Sequence, residues 1–120
     1  MKTLIKNATV VLPGGLAETS VLIADEKIVD IDVAVQSPVD RVVDGRGKHL
    51  MPGVIDDQVH FREPGLTEKE DLWHASRACA KGGVTSFLEM PNTIPNTVTQ
   101  AILNDKLELA KSRSLVNFGC

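Results

Sequence analysis

With 120 residues, 42% of them hydrophobic and 24% charged, the chain falls in the ordinary globular range, long enough for a modest core and too apolar for disorder. The formal charge of -3, with Lys and Arg scattered and no aromatic interleaving, argues against nucleic acid as a partner. One Trp, three Phe and no Tyr leave the core to Val, Ile, Leu and Ala.

The amino terminus imitates a signal peptide for its first six residues and then fails. Asn7 interrupts it, and Pro13-Gly14-Gly15 ends the short apolar run from Ala8 to Leu12. No stretch approaches the length needed to cross a bilayer, so a soluble, cytoplasmic protein with no membrane partner is expected. The following residues predict short strands at Thr3 to Lys6, Thr9 to Leu12, Ser20 to Ala24, Ile28 to Val35 and Val42-Val43. Between them lie the turn Pro13-Gly14-Gly15 and the polar turn Asp25-Glu26-Lys27, and Asp44-Gly45 closes the last. A strand about every ten residues with polar turns signals a small all-β unit.

After His49 the pattern changes. Val54 to Phe61 reads as an extended stretch bounded by Pro52-Gly53 and Pro64-Gly65. Thr67-Glu68-Lys69-Glu70 fits a helix capping box, and Leu72, Ala75, Ser76, Cys79 and Ala80 follow at the spacing of a buried helical stripe. Lys81-Gly82-Gly83 supplies the stop: a cation in the last turn, then a glycine free to turn left-handed. Val84 to Met90 predicts a strand halted by Pro91, and Thr97-Val98-Thr99-Gln100 offers a second capping box. The next helix carries Leu103, Leu107 and Ala110 along one face and ends near Ser112, and Leu115 to Phe118 begins a third strand. A strand and a helix repeating about every thirty residues is the βαβ signature, with parallel strands and right-handed crossovers. Both a doubly wound sheet and a (β/α)8 barrel are built this way. No Gly-rich phosphate turn follows the first of these strands, and a barrel runs to about 250 residues, of which about two and a half units are present. Cys79 and Cys120 lie far apart, form no C-x-x-C pair and read as reduced, packing thiols.

Asp56 to Gly65 is the stretch richest in chemistry. On an extended strand alternate residues share a face, so Gln58, His60 and, if the extension persists, Arg62 project together. Three polar groups at the carboxyl end of a strand make an expensive core and a sensible active-site wall. His60 is either a metal ligand through a neutral imidazole nitrogen or a hydrogen-bonded, half-buried histidine. Arg62 offers a planar fork for a carboxylate or for a surface ion pair. His49 and His74 read as ordinary surface residues. Glu89 interrupts an apolar strand and needs a partner, expected on a neighbouring strand. Asn92, just past Pro91, either donates to a ligand or turns the chain.

Pro52-Gly53-Val54-Ile55-Asp56, Val59-His60-Phe61-Arg62-Glu63-Pro64-Gly65, Gly82-Gly83-Val84-Thr85 and Met90-Pro91-Asn92-Thr93, in this order and spacing, resemble the dihydroorotases of the amidohydrolase superfamily. The resemblance implies an α/β protein in which residues 1–51 are the N-terminal part of a small β-sandwich-like subdomain. Residues 52–120 are then the first βα units of a (β/α)8 TIM-type barrel, left incomplete. It implies reversible hydrolysis of the cyclic amide dihydroorotate to carbamoyl aspartate in pyrimidine biosynthesis, with zinc polarising the amide carbonyl and activating water. By position, Gln58 and His60 take the places of the two metal-binding histidines of the first barrel strand, and Arg62 and Asn92 take those that hold the substrate carboxylate. Gln58 departs from the family, since a neutral carboxamide is a poorer zinc ligand than imidazole.

The family's remaining metal ligands and its catalytic Asp lie on later strands, so no catalytic residue is expected within this segment. The partners implied are a small-molecule, carboxylate-bearing substrate and a homo-oligomer or another enzyme of the pyrimidine pathway. Two other functions stay open: a catalytically inactive homologue with a structural role, and a cyclic amidohydrolase of the allantoinase or dihydropyrimidinase type.

Overall fold

The computed structural model describes residues 1–32 and 38–120, which divide into two compact units, Met1–Pro52 and Gly53–Cys120. The first is built on β1 (Lys2–Leu12), β2 (Gly15–Ala24), β3 (Lys27–Ile31), β4 (Arg41–Asp44) and β5 (His49–Leu50). The two runs expected before Pro13 are one strand, kinked where the register with β2 shifts between Ile5 and Ala8. Asn7 takes the kink with a φ of 60°, a conformation Asn adopts more readily than most residues, and its Nδ2 donates across the sheet to Asp44 Oδ1 at 3.0 Å.

Asp25 and Glu26 both have positive φ, as a two-residue hairpin turn demands, so β3 already begins at Lys27. The sheet order is β3-β2-β1-β4, with β5 also on β1; β4 and β5 run parallel to β1 and the other pairs antiparallel. Among the described residues these strands form one mixed sheet. Ala8, Val10 and Val21 form its core, with Ile5, Leu12, Ile23 and Leu50 packed around them. The part of the predicted Ile28 to Val35 strand beyond Asp32 lies outside the described residues.

The second unit is α/β. Its elements run β6 (Val54–Val59), α1 (Leu72–Gly82), β7 (Val84–Glu89), α2 (Gln100–Arg113) and β8 (Asn117–Gly119), and the strands form a parallel sheet in the order β6-β7-β8. Phe87, 1% exposed, sits at the centre of a cluster with Val59, Leu72 and Ala110, so the strands and both helices share one core. Phe61 meets Phe87 edge to face with centroids 4.8 Å apart.

Helix α1 starts later than the Thr67–Glu70 box suggests. Asp71 is its N-cap, accepting from His74 N at 2.8 Å, while Leu66 to Lys69 form a separate hydrogen-bonded turn. The deciding contact is tertiary: buried Glu63 accepts the Leu72 N–H at 2.8 Å, which fixes the first helical residue. Gly83 ends α1 with a φ of 87°, its N–H turned back to Ala80 and Cys79 carbonyls. Thr99 caps α2, accepting from Ile102 N at 3.3 Å. Cys79 is half-buried and Cys120 exposed; both are free thiols. Among the described residues no helix is long and apolar enough to cross a membrane.

Candidate functional site

The candidate residues lie at the carboxyl ends of β6 and β7. Val59 faces the core at 5% exposure, and Gln58 and His60 on either side of it are exposed, as alternation requires. The alternation ends there. A register shift interrupts the pairing of β6 with β7 between Asp56 and Val59, and Arg62 has a φ of 64°, so the chain turns and Arg62 does not continue the face of Gln58 and His60. Periodicity describes extended backbone only, and a left-handed residue breaks it.

Two loops are stitched together at this end. His60 Nδ1 lies 2.9 Å from Asn92 Oδ1. Behind that pair, Met90 N donates to Val59 O and Ile94 N to Pro64 O, both at 3.0 Å. The 91–97 loop closes on itself through Thr97 N to Pro91 O at 2.9 Å and through buried Thr93, whose hydroxyl donates to Pro95 O at 3.0 Å. Gly65, with a φ of 91°, lets the first loop lie directly against Ile94: a Cβ there would collide with that residue's carbonyl oxygen and side chain.

Glu89 stands beneath these loops, 2% exposed. Both of its oxygens accept from Phe61 N, at 3.0 and 3.2 Å, and Lys106 Nζ lies 3.9 Å away, also 2% exposed and donating to Met90 O at 2.8 Å. Its partners are therefore a backbone amide beyond β6 and a helix lysine, not a side chain of a neighbouring strand. Burial pushes the Glu89 carboxyl above its usual range, against the opposing pull of the Phe61 amide and of Lys106, His60 and Arg62. Glu63, 4% exposed, ties the same loop to Leu72 N and to Arg113 Nη1 at 2.9 Å. Lys106 and Glu63 carry no functional signal in the sequence reading. Lys106 nevertheless falls three residues after Leu103 and four before Ala110, on the apolar stripe of α2, where a cation must find a buried partner. The guanidinium of Arg62 has no hydrogen bond or ion pair among the described residues.

His49 is exposed on β5, and His74 is exposed with Nδ1 2.8 Å from Asp71 Oδ2. A hollow of about 760 Å³ on the first unit, lined by Lys6, Asn7, Glu18, Asp32 and Arg46 among others, contains none of the candidate residues, and its mixed charges favour no ligand class. A smaller one of about 400 Å³ opens at the carboxyl end of β7, between Met90, Pro91, Thr97, Leu103 and Cys120.

The donors present do not fit a metal centre. Among the described residues no three His, Cys, Asp or Glu side chains gather where one ion would reach them, and the residue two before His60 is Gln58, whose neutral carboxamide is a poor zinc ligand.

Polar side chains are collected here at the carboxyl ends of parallel strands, the end at which α/β sheets and barrels commonly bind ligands. The match to known proteins is more specific. Residues 47–114 fit the family model described as dihydro-orotase-like, and the chain belongs to that family. It is 41% identical over 117 residues to a dihydroorotase of Methanosarcina mazei, covering 96% of this chain and 25% of the relative. It is 37% identical over 117 residues to an allantoinase of Desulfitobacterium hafniense, covering 97% and 26%. Among solved structures, the L-hydantoinase (dihydropyrimidinase) from Arthrobacter aurescens superposes with a TM-score of 0.90 at 32% identity, over 97% of this chain and 26% of that one. The chain thus spans about a quarter of the length of the curated relatives it matches.

Proposed function

We propose that this chain forms the carboxylate-recognising wall of a cyclic-amide hydrolase site, built from the opening units of a (β/α)8 barrel, with dihydroorotate as the ligand class. The observation that carries the proposal is the His60–Asn92 contact. A carboxamide oxygen only accepts, so the imidazole donates from Nδ1, and the Asn92 NH2 group is left to donate elsewhere. Two residues after His60, on the same loop, Arg62 has a guanidinium without a hydrogen bond or ion pair among the described residues. Together they offer one planar fork and one amide donor, a set suited to a carboxylate. Dihydroorotate carries such a group, whereas allantoin and hydantoin do not.

In this role the chain's own residues recognise and orient the ligand, and their donor set does not fit zinc. Gln58 favours a second reading, a homologue that keeps the ligand wall without turnover and acts through a partner.

Titration of the protein with dihydroorotate, allantoin and hydantoin, with product assayed in parallel, tests both. Binding of dihydroorotate alone, weakened about ten- to a hundredfold in Arg62→Met, is expected from the loss of a charge-assisted pair. Binding without product supports the second reading. Equal affinity for all three ligands, or none for dihydroorotate, ends the proposal.

A further inference from the structure

A carboxylate withdrawn from water is costly, and an apolar side chain of the same size would fill the place of Glu89 more cheaply. The charge of Glu89 is spent on one amide. Both oxygens converge on the N–H of Phe61, the residue between His60 and Arg62, and Lys106 holds the carboxylate from the other side. Packing alone does not call for this arrangement, since the Phe61 ring is already seated against Phe87. The amide bond is what orients the peptide units on which the two candidate residues stand.

We infer that Glu89 is a positioning residue: its buried carboxylate, braced by Lys106, anchors the Phe61 amide and so sets the directions in which His60 and Arg62 leave the chain. The inference rests on the reading of those two residues as ligand-facing. Glu63 secures the far side of the same turn through Leu72 N and Arg113. The turn is therefore held from two sides by buried carboxylates, each bound to a main-chain donor and a cation.

The test uses the full 120-residue chain and Glu89→Gln, which keeps the size and an acceptor oxygen but removes the charge. Amide hydrogen exchange by NMR is expected to quicken about ten- to a hundredfold at Phe61, the scale of a hydrogen bond to a charged group. The amides of Met90 and Leu103, bonded to Val59 O and Thr99 O, keep their protection. The His60 ring resonances shift, and dihydroorotate affinity falls. Unchanged exchange at Phe61, or a loss shared equally by Met90 and Leu103, overturns the inference in favour of a merely structural role. If Glu89→Gln does not fold, Glu89→Asp replaces it, drawing the charge back by one methylene: release of Phe61 with the sheet intact supports the inference, and no release overturns it. The Phe61 and His60 readouts need no ligand. A wild-type chain that binds no cyclic amide therefore defeats the functional reading alone, while binding unaltered by Glu89→Gln defeats the positioning role alone.

Discussion

His60 Nδ1 stands 2.9 Å from Asn92 Oδ1, joining two residues thirty-two apart in sequence across the ends of adjacent parallel strands. Because the amide oxygen cannot donate, the pair selects the tautomer protonated at Nδ1 and leaves the lone pair on Nε2. Nitrogen-15 NMR of the neutral ring is expected to show that tautomer predominantly. Asn92→Ala removes the acceptor, and a mixture with the Nε2–H form should appear. A wild-type ring protonated mainly at Nε2 would show that the contact does not exist in solution.

The buried pair of Glu89 and Lys106 predicts an asymmetry in stability. Lys106→Met leaves a carboxylate without its cation and should lower the stability of the second unit by about 3–5 kcal/mol. Adding Glu89→Leu removes the uncompensated charge and should recover most of that loss, despite deleting one more polar partner. Urea unfolding of the two single variants and the double variant measures the coupling. Additive losses would mean that the two groups do not interact.

Much of the second unit is legible in the residue pattern, and what is not has identifiable causes. The end of α1 follows from Lys81-Gly82-Gly83 because a left-handed glycine is a local requirement. The start of α1 does not, since both Thr67 and Asp71 are good caps, and the choice falls to Glu63, a residue brought to Leu72 N only by the fold. Arg62 escapes the alternation argument because a single positive φ cannot be seen in a hydrophobic pattern. Lys106 is ambiguous for the opposite reason: its charge says solvent, its place on the apolar stripe says burial, and the position of Glu89 across the core decides between them. The candidate site shares this character. His60 and Asn92 are each visible as polar residues at strand ends, but their contact requires the crossover that lays β7 beside β6.

Two glycines should respond in opposite directions to the same substitution. Gly65→Ala places a methyl group in a left-handed residue and against Ile94, so a loss of roughly 1–3 kcal/mol is expected, with the Ile94 N to Pro64 O bond broken. Gly82 is the last residue of α1, with open space where its Cβ would stand. Gly82→Ala should therefore stabilise, by about 0.4–1 kcal/mol, chiefly through the entropy of the unfolded chain. Thermal or urea denaturation of both variants decides, and a tolerated Gly65→Ala would show that the two loops are not in contact.

The N-cap of α1 makes one identifiable contribution to the acid stability of the second unit. The His74 backbone N–H, and after it the His74 ring, hold the Asp71 carboxyl below its usual range. The unfolded chain then binds this proton more readily than the folded one, so stability rises with pH across the interval between the two pKa values. The contribution is complete above the ordinary Asp value of about 3.8 and disappears as pH falls through the depressed one. Asp71→Asn keeps a capping oxygen but cannot titrate. The stability difference between wild type and Asp71→Asn should shrink below about pH 4 and level off once Asp71 is protonated in both states. Urea titrations at pH 7, 4 and 2.5 follow it, and a difference that does not change across that range would show that the Asp71 carboxylate is not bound to the helix amide.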